Sequence, residues 1–210
     1  MALRLNYFGF GGRARAIRLA LRMCNIAFED HQFGFPQWPE LKAKCPYGTC
    51  PVLEIGVHEG VAFPDAGAQV IGSSNAILMY VGMRGGMLPS DPVQLAQEMD
   101  VLDWCETWYY VMTPSIREQD ADKKRAMREE LQSSGSMGAT MAYVDNIYAG
   151  GGFLHGASKP GVADLKIETI LRMFKVGAAD YFPADYLDQF KNLSAFYDKV
   201  AAAVAPYNEK

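Results

Sequence analysis

Histidine and cysteine are scarce in this chain, and neither is spaced to hold a metal. The three histidines, His31, His58 and His155, lie far apart with no carboxylate or cysteine at ligand spacing, which argues against a zinc centre. The four cysteines, Cys24, Cys45, Cys50 and Cys105, contain no C-x-x-C pair and read as reduced thiols in a cytosol rather than a disulfide framework. Basic residues do not outnumber acidic ones: 20 Lys and Arg face 24 Asp and Glu, a net charge of -4, so the chain lacks the electrostatic footprint of a nucleic-acid or anionic-membrane binder. Long apolar runs are missing as well. The opening MALRLNYFGFGGRARAIRLAL is broken by polar and basic residues, fitting neither a secretory signal nor a membrane span, and nothing further along is long enough to span. No internal repeat or low-complexity tract is seen. What is present is a globular composition: 210 residues, 50% of them apolar, enough to bury one large core or two small ones.

The pattern changes part-way along the chain. Leu3, Leu5 and Tyr7 alternate with polar residues as in a strand, a turn rich in glycine follows at residues 9–12, and residues 13–24 carry helical periodicity through Ala16, Ile17, Ala20 and Leu21. Residues 27–32 read as a second strand, 38–44 as a short helix and 51–55 as a third strand, while 57–71 is ambiguous. Ser73 and Ser74 stand where an N-cap would precede a helix over 75–82. The run GGMLPSDP at 85–92 is the clearest composition break and reads as a linker. Beyond it come only helical patterns, over 93–116, 121–148, 162–176 and 187–204, with separators at Thr113-Pro114, Gly150-Gly151-Gly152 and Phe182-Pro183. The inferred fold class is an α/β module followed by an all-α module.

Pro51 opens the apolar Pro51-Val52-Leu53. A proline there has no N–H for a ladder, so it marks a strand start or an edge, and it pushes Cys50 into an extended conformation whose main chain could pair with an extended peptide ligand. An ordinary loop-to-strand junction is the other reading. The glycine turn at 9–12 has the form of a phosphate-cradling loop, but no Lys-Ser or Lys-Thr closes it and the third glycine of a dinucleotide fingerprint is missing. Tyr7 and Arg13, at a strand end and a helix start, are more pointed. A phenol can donate to an anion and an arginine adds positive potential, a combination that favours a thiolate; free thiols titrate near ~8.5. The alternative is a core tyrosine whose hydroxyl bonds to backbone.

Tyr7-Phe8, Gly12-Arg13-Ala14-Arg15-Ala16-Ile17-Arg18, Trp38-Pro39-Glu40-Leu41-Lys42, residues 46–54 (PYGTCPVLE) and Ser74-Asn75-Ala76-Ile77-Leu78-Met79-Tyr80 follow the order and near spacing of cytosolic glutathione transferases. The chain is most similar to the sigma class. The resemblance covers most of the first 85 residues, and Phe153-Leu154-His155-Gly156 with Ala163-Asp164-Leu165 extends it less specifically into the helical half.

That resemblance implies a thioredoxin-like glutathione-binding domain over residues 1–84, an all-helical domain over 91–210, reduced glutathione as cosubstrate, no metal, a cytoplasmic homodimer, and no nucleic-acid or membrane partner. It implies that Tyr7 hydrogen-bonds the glutathione sulfur with help from Arg13, and that Trp38 and Lys42 hold the glycyl end. The main chain at Cys50 and cis-Pro51, beside Thr49, would pair with the cysteinyl unit, and Ser73 and Ser74 would receive the γ-glutamyl carboxylate. Phe8 and Phe10, with Trp104, Trp108 and Met112, would line a pocket for a hydrophobic electrophile, although helical spacing of the last three equally fits helix packing. Asp100 or Asp103 would reach a partner's glutathione, and Asp164 would serve a helix-capping box opened by Gly161.

Several positions depart from the family pattern. Ser73 replaces a usual Gln or Glu, Thr49 a common Gln, and Cys50 a bulky aliphatic, which sets a thiol beside the expected glutathione. The stretch from 54 to 73 is roughly ten residues longer than a short hairpin needs. The expected activity is conjugation of glutathione to small hydrophobic electrophiles. The alternatives are a glutathione-dependent isomerase or peroxidase of the prostaglandin type, a thiol transferase acting through Cys50, and a non-catalytic binding or structural protein of the same fold.

Overall fold

The computed structural model describes residues 1–208. The chain forms two compact units, Met1–Leu88 joined by residues 206–208, and Pro89–Ala205. Residues 206–208 cluster with the first unit through contacts to its first helix. Arg15 Nη2 donates to Asn208 Oδ1 at 2.8 Å and Arg22 Nη1 to the Tyr207 carbonyl at 3.3 Å, so two arginines of the first helix hold this segment.

The first unit is built on a sheet of strands β1 (Leu3–Phe8), β2 (Glu29–Phe33), β3 (Val52–Ile55) and β4 (Gln69–Ile71), with helices α1 (Arg15–Met23), α2 (Trp38–Lys42) and α3 (Ser74–Gly85). The sheet order is β2-β1-β3-β4, parallel between β1 and β2 and antiparallel across the other two pairs. Pro51 therefore precedes an interior strand rather than an edge: the β3 ladder opens at Val52, opposite Asn6, so the missing N–H falls outside it. The Cys50–Pro51 peptide is cis. Ile17, Ala20 and Leu21 of α1 and Ile77, Leu78 and Val81 of α3 are buried, and the two helices pack on each other.

Alternation in β1 anticipates one wet face, yet all six residues are buried. Its polar residues are paired instead. Arg4 Nε bonds Glu29 at 2.8 Å and Arg4 Nη1 bonds Glu54 at 3.1 Å, while Asn6 Nδ2 donates to Glu54 at 3.1 Å. The same network pins the unclassified stretch 56–68, which has no helix or strand. Arg4 Nη2 donates to the Val61 carbonyl and the Asp65 N–H to Glu54 Oε1 at 2.6 Å. The Asp65 carboxylate, accepting from the His58 and Gly67 backbone N–H groups, is held down at about 2.

The second unit contains α4 (Pro92–Arg117), α5 (Ala121–Ser133), α6 (Ser136–Ile147), α7 (Val162–Lys175) and α8 (Lys191–Val204). Asp91 caps α4 by accepting from Val93 and Gln94 N–H at 3.0 and 2.9 Å, with Pro92 as the first helical residue. The Thr113-Pro114 separator does not end this helix. Pro114 lies on the exposed face one turn from exposed Tyr110, where water can satisfy the carbonyl that a proline leaves unbonded. The single helix expected over 121–148 is two, broken at Gly135, whose φ of 72° is left-handed.

Candidate functional site

The site grows from the turn that follows β1. Tyr7 is the penultimate residue of β1, only 6% exposed, and its Oη accepts the Arg13 backbone N–H at 3.2 Å. Gly12 makes that approach possible. It has φ +43°, and a Cβ there would stand 2.6 Å from Tyr7 Oη and 2.9 Å from the Phe10 ring. Burial pushes the Tyr7 phenol up to about 12, against the opposing influence of the Arg13 N–H and of the Arg13 and Arg18 charges. At neutral pH it therefore keeps its proton. With one lone pair engaged by Arg13 N–H, the O–H is disposed to donate, as a partner for an anion rather than as a base.

Cys50 belongs to the same locality: its thiol helps push the Tyr7 phenol up, and the Arg13 charge reaches it. The side chain is half-buried and its thiol is pushed up to about 12, chiefly by burial and further by the Cys45 thiol. Such a thiol is protonated and a poor nucleophile. Thr49, exposed, donates weakly to the Pro46 carbonyl at 3.5 Å.

Trp38 opens α2, half-buried, with its indole stacked on Phe33 at 5.8 Å and 1° and set edgewise on Phe8 at 5.6 Å. Lys42 ends α2, exposed, its stem running beside Gly48. Ser73 is the residue before α3, exposed and extended, and its side chain does not cap the helix; Ser74, the first helical residue, is buried. The positive end of the α3 dipole lies there.

Phe8 and Phe10 stack at 5.4 Å and 13°, Phe10 stacks on Phe35 at 5.9 Å and 26°, and Phe10 meets Tyr7 edgewise at 5.7 Å. With Gly9, Gln32, Phe33 and Gly34 they line a cleft of about 350 Å³. Phe10 is 46% and Phe35 68% exposed, so aromatic faces are presented to solvent.

The three pocket residues expected from the helical half lie in the interior of the helical unit. Trp108 and Met112 have no exposed surface and Trp104 is nearly buried. Trp108 packs against Tyr109 and Phe174, and the Trp104 indole donates to the Thr140 carbonyl at 2.9 Å. They serve the packing of the helical unit. Asp100 accepts from the Tyr143 hydroxyl at 3.0 Å, and Asp164 accepts from the Gly161 N–H at 2.8 Å at the start of α7. Among the described residues, no cluster of His, Cys, Asp or Glu could hold a metal ion, and no helix is long and apolar enough to cross a membrane.

Family profiles match both halves: the glutathione S-transferase N-terminal domain over residues 3–83 and the glutathione S-transferase C-terminal domain over residues 106–210. The chain belongs to the glutathione S-transferase family. Among curated relatives it is similar to glutathione S-transferase 1 of Ascaris suum, 27% identical over 60% of this chain and 58% of that protein. It is also similar to hematopoietic prostaglandin D synthase of Gallus gallus, 28% identical over 58% of this chain and 55% of that protein. The chain thus spans less than two thirds of the length of these relatives. Among solved structures, a Fasciola hepatica sigma class glutathione transferase superimposes with a TM-score of 0.79 at 24% identity, covering 98% of this chain and 94% of the other. Prostaglandin synthase D of Nilaparvata lugens gives 0.77 at 24% identity, covering 99% and 96%. At that identity these two likenesses speak for the fold.

Two features of this transferase-family site escape a linear reading. Phe33 and Phe35 complete the aromatic cleft, but Phe33 lies one residue past the expected end of its strand and Phe35 opens a short 3-10 turn that was not expected. Arg18 interrupts the apolar face of α1, where a cation reads as solvated, yet it is 1% exposed. An arginine flanked by Ile17 and Leu19 in a helix that must cover a sheet was the available signal.

Proposed function

We propose that the protein is a sigma-class-like glutathione transferase in which the Tyr7 hydroxyl stabilises the glutathione thiolate and the thiolate attacks a small apolar electrophile. The observation that carries this reading is the Tyr7 hydroxyl itself: protonated, buried, engaged as an acceptor by Arg13 N–H and so disposed to donate. In the proposed complex Arg13 adds positive potential. The main chain at Cys50 and cis-Pro51, next to Thr49, meets the cysteinyl unit of glutathione; Trp38 and Lys42 meet its glycyl carboxylate. The start of α3 at Ser73 and Ser74 takes the γ-glutamyl end, where a carboxylate gains from the helix dipole. Phe8, Phe10, Phe33 and Phe35 hold the electrophile. Thiolate sulfur forms a bond to the electrophilic carbon as the leaving group departs or, in an addition, as the carbon's π electrons move to its acceptor. Preorganised donation to the sulfur and proximity supply the acceleration. We further propose a cytoplasmic homodimer, with residues 1–84 binding glutathione and 91–210 forming the helical domain.

Calorimetry with reduced glutathione, followed by a conjugation assay with a chlorinated aromatic, tests the reading; absence of binding would sink it and favour a non-catalytic protein of this fold. A second reading, glutathione-dependent isomerisation of an endoperoxide, is favoured by the similarity to the prostaglandin D synthase of Gallus gallus. Product analysis with endoperoxide, hydroperoxide and chlorinated aromatic substrates separates the two.

A further inference from the structure

The turn that carries Tyr7 to Gly12 is poorly suited to hold a hydroxyl still. Three of the four residues from 9 to 12 are glycine, the residue with the greatest conformational freedom to lose. The Arg13 N–H bond to Tyr7 Oη closes the turn from one side. On the other side stands Arg18, one turn into α1. Its Nη2 donates to the Phe8 carbonyl at 3.0 Å and its Nη1 to the Phe10 carbonyl at 2.8 Å, the two carbonyls that bracket Gly9. Its Nε faces both carboxylate oxygens of Asp30 at 3.1 Å, and Asp30 is fixed in β2 opposite Leu5. The guanidinium carbon is 5.9 Å from the centroid of the Tyr7 ring.

A guanidinium only 1% exposed is costly unless its donors are met, and here they are met by one turn and one neighbouring strand. The planar fork makes this possible, because it reaches two carbonyls and a carboxylate at once. We propose that Arg18 is a positioning residue for thiolate formation: by clamping the Phe8–Phe10 turn to Asp30 it fixes where the Tyr7 hydroxyl points. This rests on the function proposed above. Arg18 touches no substrate in that scheme and acts through Tyr7. The same clamp sets the backbone from which the Phe8 and Phe10 rings project, so it also shapes the mouth of the aromatic cleft.

The test compares Arg18→Lys, Arg18→Met and Asp30→Asn with the wild type. Lysine keeps the charge but loses the planar fork that spans the two carbonyls and the carboxylate; Asp30→Asn keeps the arginine and weakens its anchor. The readouts are the pH midpoint of thiolate formation in the glutathione complex, followed by thiolate absorbance, and kcat and KM for conjugation. The expected result is an upward shift of that midpoint in every folded variant and a loss of kcat of about tenfold, with glutathione KM changed much less, as misdirection of a catalytic donor predicts. Arg18→Lys should fall with Arg18→Met rather than rescue it. A folded variant of Arg18 with lowered melting temperature but wild-type midpoint and kcat would overturn the proposal, since a merely structural clamp gives that pattern. If neither Arg18 variant folds, Asp30→Asn decides by the same two readouts. Absence of a thiolate signal in the wild type is a different result: it rejects the functional reading itself.

Discussion

Replacing Tyr7 by Phe removes one oxygen from a site 6% exposed and leaves the ring, its edgewise contacts with Phe8 and Phe10, and the strand pairing in place. A hydrogen bond to a charged acceptor contributes about 1.5–3 kcal/mol. At about 1.4 kcal/mol per pH unit, that bond lowers the bound thiol by roughly 1–2 units, from near ~8.5 toward ~7. The thiolate fraction at neutral pH then falls from about half to a few per cent in Tyr7→Phe, and conjugation slows by about 10–30-fold. Because the phenol itself titrates at about 12, it stays protonated throughout. The rise of rate with pH therefore belongs to the thiol, and its midpoint moves up by the same roughly 1–2 units. Glutathione affinity by calorimetry changes little. Loss of the acceptor for the Arg13 N–H, 3.2 Å away, costs about 1 kcal/mol of stability. The assay is initial rate against pH with saturating glutathione, alongside thermal melting. An unchanged rate and midpoint in Tyr7→Phe would remove Tyr7 from the mechanism.

Three further outcomes are expected. Cys50→Ala should keep conjugating activity, because a thiol pushed up to about 12 is not a nucleophile and the proposed contact there is main-chain; loss of activity in that variant would revive a cysteine mechanism. Phe35→Ala should raise the KM for an aromatic electrophile about 2–10-fold and leave that for glutathione unchanged, since a stacked aromatic contact contributes about 0.5–1.5 kcal/mol. Glu98, 2% exposed on α4 and accepting the Ala163 N–H at 3.0 Å, is pushed up to about 7 by burial and by nearby Asp164. A carboxyl raised on folding binds more protons in the folded state, so stability should fall as pH rises from about 4.5 to about 7 and level off above, by about 3 kcal/mol. Glu98→Gln should flatten that slope in urea melts; an unaltered slope would assign it to another group.

Much of the site was legible because it is local. Tyr7 at a strand end, Arg13 at a helix start and a proline opening an apolar strand are statements about neighbours in the chain, and short-range sterics and hydrogen bonding enforce them. Reading 51–55 as a strand held for the same reason. The break at Gly135 was missed although residues 132–136, QSSGS, carry no apolar side chain and have a loop composition; a left-handed glycine interrupts the backbone there. Pro114 misled in the opposite direction: a proline on an exposed helix face loses one hydrogen bond to water and no packing.

By itself, then, the amino-acid order determined the two-part architecture and the chemistry available at the β1–α1 turn and at Cys50–Pro51, since both follow from local propensity and from residue types a few positions apart. The tertiary structure decided which polar groups are buried and paired. Arg4 with Glu29 and Glu54 across neighbouring strands, Arg18 with Asp30, and the Phe8, Phe10, Phe33 and Phe35 cleft all join segments far apart in the chain. It also buried Trp108 and Met112 in the interior of the helical unit. Helical spacing says which side chains share a face. What that face meets depends on where the rest of the chain packs, because burial is a property of neighbours that the linear order does not name.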